Sequence, residues 1–169
     1  YIIGKQKQTF CCRLEHELVA CGNILGATAA KFGVYFSKKY IFTKKYGISV
    51  DDAFKKVKDE IVKLINAGAI DDVSTIRDSL LCPTMRGKIL FLYYPDKYLP
   101  IYDYKHLDFF INIIGLKISS KDILDKQHVL IDWKDRDSIM KNWSLLEFQN
   151  FLYFTFGKPQ KTIWEERKD

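Results

Sequence analysis

The spacing of apolar residues predicts helices over most of the chain. The clearest signal is a set of apolar residues at successive intervals of four, three, four and three positions: Val50, Phe54, Val57, Ile61 and Leu64. This spacing places them on one face of a helix, which Ser49 can cap and Gly68 can end. Weaker signals of the same kind predict helices over 7–21, 72–81, 104–114, 121–131 and 145–156. Ser144 and Glu147 have the spacing of a capping box for the last of them.

Short segments rich in aromatic and β-branched residues predict strands. Two of them, 32–37 and 40–44, form a hairpin that turns at 37–39. A third, 88–94, is apolar on both faces, which is typical of a central strand, and a fourth covers 98–102. We expect all four to share one sheet. The predicted fold class is α+β, with a small antiparallel sheet packed with five or six helices.

Composition favours a folded chain of ordinary domain size. Of the 169 residues, 47% are hydrophobic and 15% aromatic, which suffices for a substantial core and argues against disorder. We predict one domain over 1–157 and a mobile tail over 158–169. The sequence shows no signal peptide and no run of about 18 apolar residues, so we expect a cytoplasmic protein that does not span a membrane. It begins with Tyr1 rather than Met, which suits a fragment of a longer protein.

Positive charge is concentrated in one stretch of the chain. The formal net charge is +6, and residues 31–48 contain five lysines and no acidic residue. Tyrosines and phenylalanines alternate with these lysines. Lysine offers a point charge to phosphate, and an aromatic face can stack on a base, so the stretch predicts a nucleic-acid surface. The alternative is a half-buried hairpin whose outward lysines only keep it soluble.

Catalytic and metal-binding patterns are missing from the sequence. His16, His106 and His128 are dispersed, and no phosphate-binding loop or cluster of carboxylates with a lysine occurs. The cysteines also lack the paired spacing of a zinc site, and we expect them to be free thiols: Cys11, Cys12, Cys21 and Cys82. We therefore predict no catalytic residue, no metal and no cofactor.

Two segments resemble the N-terminal regions of McrB-type proteins, the AAA+ GTPases of modification-dependent restriction and related anti-phage systems. One is KILFLYYPDKYLPIYDYKHLDFFINIIGL, residues 88–116, which resembles their pattern at Tyr94, Pro95, Asp96, Lys97, Tyr98, Leu99, Ile101, Tyr102, His106 and Leu107. The other is GATAAKFGVY, residues 26–35. The resemblance implies a DNA-recognition region whose GTPase motor lies outside this chain. Its partners would be duplex DNA and a GTPase or nuclease assembly.

The basic stretch and the resemblance together lead to one predicted site. Phosphate contacts are expected from lysines of the hairpin region and from two neighbouring basic residues: Lys31, Lys38, Lys39, Lys44, Lys45, Arg86 and Lys88. Three tyrosines are candidates to stack on a base: Tyr35, Tyr40 and Tyr46. Whether the DNA carries a modified base, and whether a base is flipped, stays open.

Two other functions compete with DNA recognition. Helix 145–156 is rich in phenylalanine and could dock a partner subunit, in which case its aromatic residues should be exposed rather than buried. RNA binding is the third alternative, and competition between single-stranded RNA and duplex DNA would separate it from DNA binding.

Overall fold

A computed structural model describes residues 32–36 and 38–159. Several sequence predictions fall outside these residues: the helix over 7–21, Lys31 with the loop before it, the first three cysteines, and most of the tail. The chain divides into two compact units, residues 1–100 and 101–169. The expected single domain over 1–157 stays a prediction.

The first unit is built on one long helix. Strands β1 (Val34–Phe36) and β2 (Tyr40–Phe42) form an antiparallel hairpin, and a 3-10 turn follows at Lys44–Tyr46. Helix α1 (Val50–Ala69) contacts the hairpin and the two helices that follow it, α2 (Val73–Arg77) and α3 (Pro83–Tyr93).

Helix α1 begins and ends close to the predicted positions, but its buried face is different. Ser49 caps it by accepting a hydrogen bond from the N–H of Asp52 at 3.1 Å, as expected. The buried side chains are Ala53, Val57, Glu60, Leu64 and Ala67, whereas Phe54 is 40% exposed. The buried face of α1 is therefore rotated away from the predicted one, toward smaller residues. These smaller residues let the hairpin and the neighbouring helices pack close to the α1 backbone.

The predicted central strand at 88–94 is wrong, because these residues lie in helix α3. The helix begins with Pro83 in its first turn, where the missing N–H of proline costs nothing. An apolar run without periodicity is compatible with a buried strand or with a helix buried on most sides. Ile89, Leu90 and Phe91 are all buried, as the second case requires.

The predicted strand at 98–102 is also wrong. Tyr98, Leu99 and Ile101 are buried, but the segment has no regular structure, since the strand expected beside it is a helix. The sheet of the described residues therefore consists of the hairpin alone. The predicted helix at 72–81 is correct in type but shorter, ending at Arg77.

The second unit contains three helices: α4 (Tyr104–Ile114), α5 (Ile123–Arg136) and α6 (Leu145–Phe156). Gly115 ends α4 in the left-handed conformation at φ 82°, and the capping box of Ser144 and Glu147 starts α6. Helix α5 extends five residues beyond its predicted end, and Lys134 in this extension is buried. Within the unit, the rings of Trp133 and Phe148 lie 6.1 Å apart and join α5 to α6.

The α+β fold class is confirmed. The residues that the structure describes form six helices and one small antiparallel sheet. None of these helices combines the length and apolar character needed to cross a membrane.

The helical assignment of 83–93 predicts a large loss of stability for one aromatic residue in it and a small loss for another. Phe91 is 6% exposed and Tyr93 54% exposed. Phe91→Ala should lower the free energy of unfolding by about 3–5 kcal/mol, because it leaves a cavity. Tyr93→Ala should cost about 1 kcal/mol or less. Denaturant unfolding of both variants tests this, and equal destabilisation would contradict the burial pattern of α3.

Candidate nucleic-acid interface

The hairpin presents different residues on its two faces. Val34 pairs with Phe42, Tyr35 with Ile41, and Phe36 with Tyr40. Because side chains alternate along a strand, Tyr35 and Ile41 lie on one face and the other two pairs on the opposite face. Tyr35 and Tyr40 therefore cannot stack on the same base.

Three of the predicted lysines are available on the hairpin. Lys38 and Lys39 lie in the turn between the strands, and Lys44 begins the 3-10 turn after β2. All three are exposed, and none forms an ion pair with another residue in the described part of the chain. They are free to bind an anion. Lys31, predicted with them, lies outside the described residues.

Of the three predicted tyrosines, Tyr40 is the one suited to stacking on a base. Its side chain is 40% exposed, and one side of its ring lies against Phe36 with the centroids 4.9 Å apart. This contact supports the ring while leaving part of its surface open. Tyr35 is half-buried.

The prediction that Tyr46 stacks on a base is wrong, because its side chain is only 3% exposed. Its hydroxyl donates a hydrogen bond of 2.7 Å to the carbonyl oxygen of Leu80. Burial raises the pKa of the Tyr46 phenol from 10.0 to about 12, and Cys82 and Glu60 act in the same direction. Tyr46 thus remains a hydrogen-bond donor across the physiological range.

Lys45 also contacts Leu80. Its Nζ donates to the Leu80 carbonyl oxygen at 2.9 Å and lies 4.7 Å from the centroid of the Tyr46 ring. The backbone N–H of Leu80 in turn donates to Oε2 of Glu60 at 3.1 Å. We call Lys45, Tyr46, Glu60 and the backbone of Leu80 the Leu80 anchor. It joins the base of the hairpin to α1 and to the segment between α2 and α3.

Sequence reasoning missed Glu60 as part of this site. A signal for it exists, since Glu60 lies three positions after Val57 and four before Leu64, on the apolar face of α1. A carboxylate on such a face needs a polar partner when it is buried. Here the partners are the N–H of Leu80 and the ammonium of Lys56, 3.4 Å from Oε1.

Gly33 allows the hairpin to approach α1 closely. Its φ is +83°, and a Cβ atom at this position would come within 2.9 Å of the Tyr46 ring and clash with Val57. The carbonyl oxygen of Gly33 accepts a hydrogen bond from the N–H of Thr43 at 2.9 Å. Both ends of the hairpin therefore meet at Tyr46.

The two basic residues predicted beside the hairpin have other positions. Lys88 lies within α3 and is fully buried, so it cannot contact a phosphate on the surface. Nη1 of Arg86 donates to the carbonyl oxygens of Ile76 and Arg77 at 3.1 and 3.0 Å. These are terminal carbonyls of α2, which a cationic side chain stabilises. The sequence also predicts a turn at 84–87 on the rim of the shared sheet, and this is wrong, since Arg86 lies in helix α3.

The segment that carries the family resemblance caps the C-terminus of α1. The hydroxyl of Tyr94 donates to the carbonyl oxygen of Ile65 at 2.6 Å. Nζ of Lys97 donates to the carbonyl oxygen of Ala69 at 3.2 Å and pairs with Asp71 at 2.8 Å. Tyr98 donates to the carbonyl oxygen of Gly68 at 3.4 Å. The polar side chains of this segment thus satisfy the last carbonyls of a helix.

The structure describes two of the other residues that were considered as catalytic or metal-binding candidates. His106 lies 2.8 Å through Nδ1 from the hydroxyl of Tyr153, and burial lowers its pKa. Cys82 is a half-buried free cysteine. In the part of the chain that the structure covers, no group of three or more His, Cys, Asp or Glu residues could hold a metal ion.

Comparison with protein-family models, curated proteins and solved structures finds no match to this chain. The resemblance to McrB-type proteins stays a prediction.

The raised pKa of Tyr46 predicts a pH-dependent contribution to stability. Its hydrogen bond to Leu80 should be fully present below pH 10 and disappear as the pH rises through about 12, because the phenolate cannot donate. Tyr46→Phe should therefore lower the thermal midpoint at pH 8, and the difference from wild type should shrink toward pH 12. Melting curves of the two proteins at matched pH test this. A difference that is constant over that range would contradict it.

Proposed function

We propose that the chain binds duplex DNA through the hairpin Val34–Phe42 and the turn that follows it. The observation that supports this most is the grouping of three exposed lysines, Lys38, Lys39 and Lys44, on one small ribbon. No described residue neutralises them. An unpaired group of lysines attracts a polyanion and gains free energy by releasing its counterions.

The dimensions of the hairpin are compatible with this role. A two-stranded ribbon is narrow enough to enter the major groove of B-DNA. Lysines in its turn would contact the phosphates, while the exposed ring of Tyr40 offers an apolar contact to bases on the face that it shares with Phe36. Because Tyr40 is supported by Phe36, it is the residue we propose to stack if a base is unpaired or flipped.

The wider role is proposed on the resemblance alone. A recognition domain of a restriction or anti-phage protein would act in the cytoplasm beside a GTPase or nuclease assembly, and it would need no catalysis of its own.

Removal of three charges from the hairpin tests DNA binding. The variant Lys38→Gln/Lys39→Gln/Lys44→Gln should bind duplex DNA more weakly. The slope of log K against log salt concentration should fall by roughly 0.9 for each phosphate that the variant no longer neutralises. Fluorescence anisotropy over a salt series measures both quantities, with modified and unmodified duplexes and single-stranded RNA as competitors.

The matched control removes three exposed lysines of the second unit: Lys117→Gln/Lys121→Gln/Lys141→Gln. Both variants lower the net charge by the same amount, so a simple effect of total charge would weaken both equally. Equal affinity of the wild type and the hairpin variant would overturn the proposal, and tighter competition by single-stranded RNA would favour the RNA alternative.

One observation favours a second function, the docking of a partner subunit through α6. Phe154 is 93% exposed, although Phe148 on the same helix is fully buried. Phe151 contacts Trp143 and Phe156, with centroids 5.3 and 6.1 Å apart. An almost fully exposed phenylalanine beside a partly exposed aromatic cluster is typical of a protein-binding surface.

Substitution of Phe154 tests this second function. Phe154→Asp should abolish stoichiometric co-purification of a partner subunit while leaving the thermal midpoint within a few degrees, because the side chain is outside the core. The matched control is Tyr104→Asp, since Tyr104 is 54% exposed in the same unit. Retention of the partner by the Phe154 variant, or its absence from both variants, would contradict docking through α6.

A further inference from the structure

We propose that the Leu80 anchor positions the hairpin for DNA binding and that Lys45 belongs to this anchor rather than to the phosphate-binding surface. The inference rests on the proposed DNA-binding function. It divides the adjacent residues Lys44 and Lys45, which the sequence alone does not distinguish, into a phosphate ligand and a positioning residue.

The hairpin needs such an anchor because it is small. Each strand has three residues, and a two-stranded ribbon is marginally stable in water by itself. Tyr46 contributes a polar part of its attachment, since its ring packs beside Gly33 and its hydroxyl is bonded to Leu80, while Phe32 and Val34 are buried against the rest of the unit. Holding the exposed lysines in a common orientation lowers the entropic cost of binding.

The Leu80 segment is held through its backbone. The Leu80 side chain is 37% exposed, so it lies at the surface rather than in the core. Its carbonyl oxygen accepts from both Tyr46 and Lys45, and its N–H donates to Glu60, which is buried on α1. Removal of one donor therefore weakens the link between hairpin and helix without removing an apolar side chain from the core.

The position of Lys45 explains its assignment. Its ammonium is 2.9 Å from the Leu80 carbonyl oxygen and 4.7 Å from the centre of the Tyr46 ring. A phosphate at Lys45 would therefore share the ammonium with the Leu80 carbonyl oxygen or displace it from that contact. Lys44 has no such contact in the described part of the chain and is exposed. The two ammonium groups should therefore contribute differently to the salt dependence of binding.

The first experiment compares Lys44→Gln with Lys45→Gln in the full chain, using a duplex of about 20 base pairs over a salt series. Each variant removes one charge. Lys44→Gln should lower the salt slope by roughly 0.9. Lys45→Gln should leave the slope unchanged and still weaken binding about fivefold, the effect of removing one hydrogen bond from the anchor. A fall in slope for Lys45→Gln equal to that of Lys44→Gln would overturn the assignment.

The second experiment removes the Tyr46 hydroxyl and keeps its ring. Tyr46→Phe should weaken DNA binding about fivefold at an unchanged salt slope, and it should speed amide hydrogen exchange of residues 40–44. The control is Tyr94→Phe, which removes an equivalent bond from a hydroxyl to a carbonyl oxygen, that of Ile65 at the other end of α1. It should change neither quantity.

The outcomes separate the two proposals. Wild-type affinity and unchanged hairpin exchange in Tyr46→Phe would overturn the positioning role while leaving DNA binding intact. Equal effects of Tyr46→Phe and Tyr94→Phe would reduce the anchor to a general contribution to stability and would also overturn it. If the wild-type chain fails to bind duplex DNA, the proposed function fails and the binding role of the anchor fails with it. Hairpin exchange would then still show whether the anchor holds the hairpin.

Discussion

Burial of one face of α1 holds the first unit together. The face consists of small and medium side chains, with Ala53, Val57, Leu64 and Ala67 all nearly inaccessible. Because these side chains are short, the hairpin packs closely on Val57 at Gly33, and α3 packs closely on α1 at Gly68. A Cβ atom at Gly68 would lie 2.7 Å from both Leu90 and Tyr94. Neither glycine can therefore be replaced by a larger residue without a clash.

The two ends of α1 meet different requirements. The N-terminal half of α1 receives the hairpin, and Glu60 near its middle fixes the Leu80 segment. The last turn leaves carbonyl groups that no helical N–H can satisfy, and Lys97 and Tyr98 donate to two of them, while Tyr94 donates to the carbonyl oxygen of Ile65 just before them. Asp71, which has a positive φ of 55°, pairs with Lys97 just beyond the helix. The segment after α3 thus supports the C-terminal end of α1, the helix that the hairpin packs on.

Charge on this protein is distributed between surface and interior in a way that its composition conceals. Lys88, Lys126 and Lys134 are each buried. Lys126 pairs with Asp108 at 2.7 Å and Lys134 with Asp135 at the same distance, so neither charge is available to a ligand. Burial of a lysine without a partner would be costly, which explains why a carboxylate accompanies these two. The net charge of +6 therefore does not say which lysines lie at the surface, since some of them are buried in ion pairs and others, such as Lys38, Lys39 and Lys44, are exposed.

Features that depend on neighbours a few positions apart could be read from the residue types. The cap at Ser49, the capping box at Ser144 and the left-handed end of α4 at Gly115 all involve bonds within one turn of helix. Whether the apolar run 88–93 forms a helix or a strand could not be read in this way. A buried helix and a buried strand have the same composition, and α1 supplies the surface that favours the helix. The same holds for the exposure of Lys44 and the anchoring of Lys45 and Tyr46, since their partner Leu80 lies more than thirty positions away. The sequence shows two adjacent lysines, and their difference arises from a contact that exists only once the chain has folded.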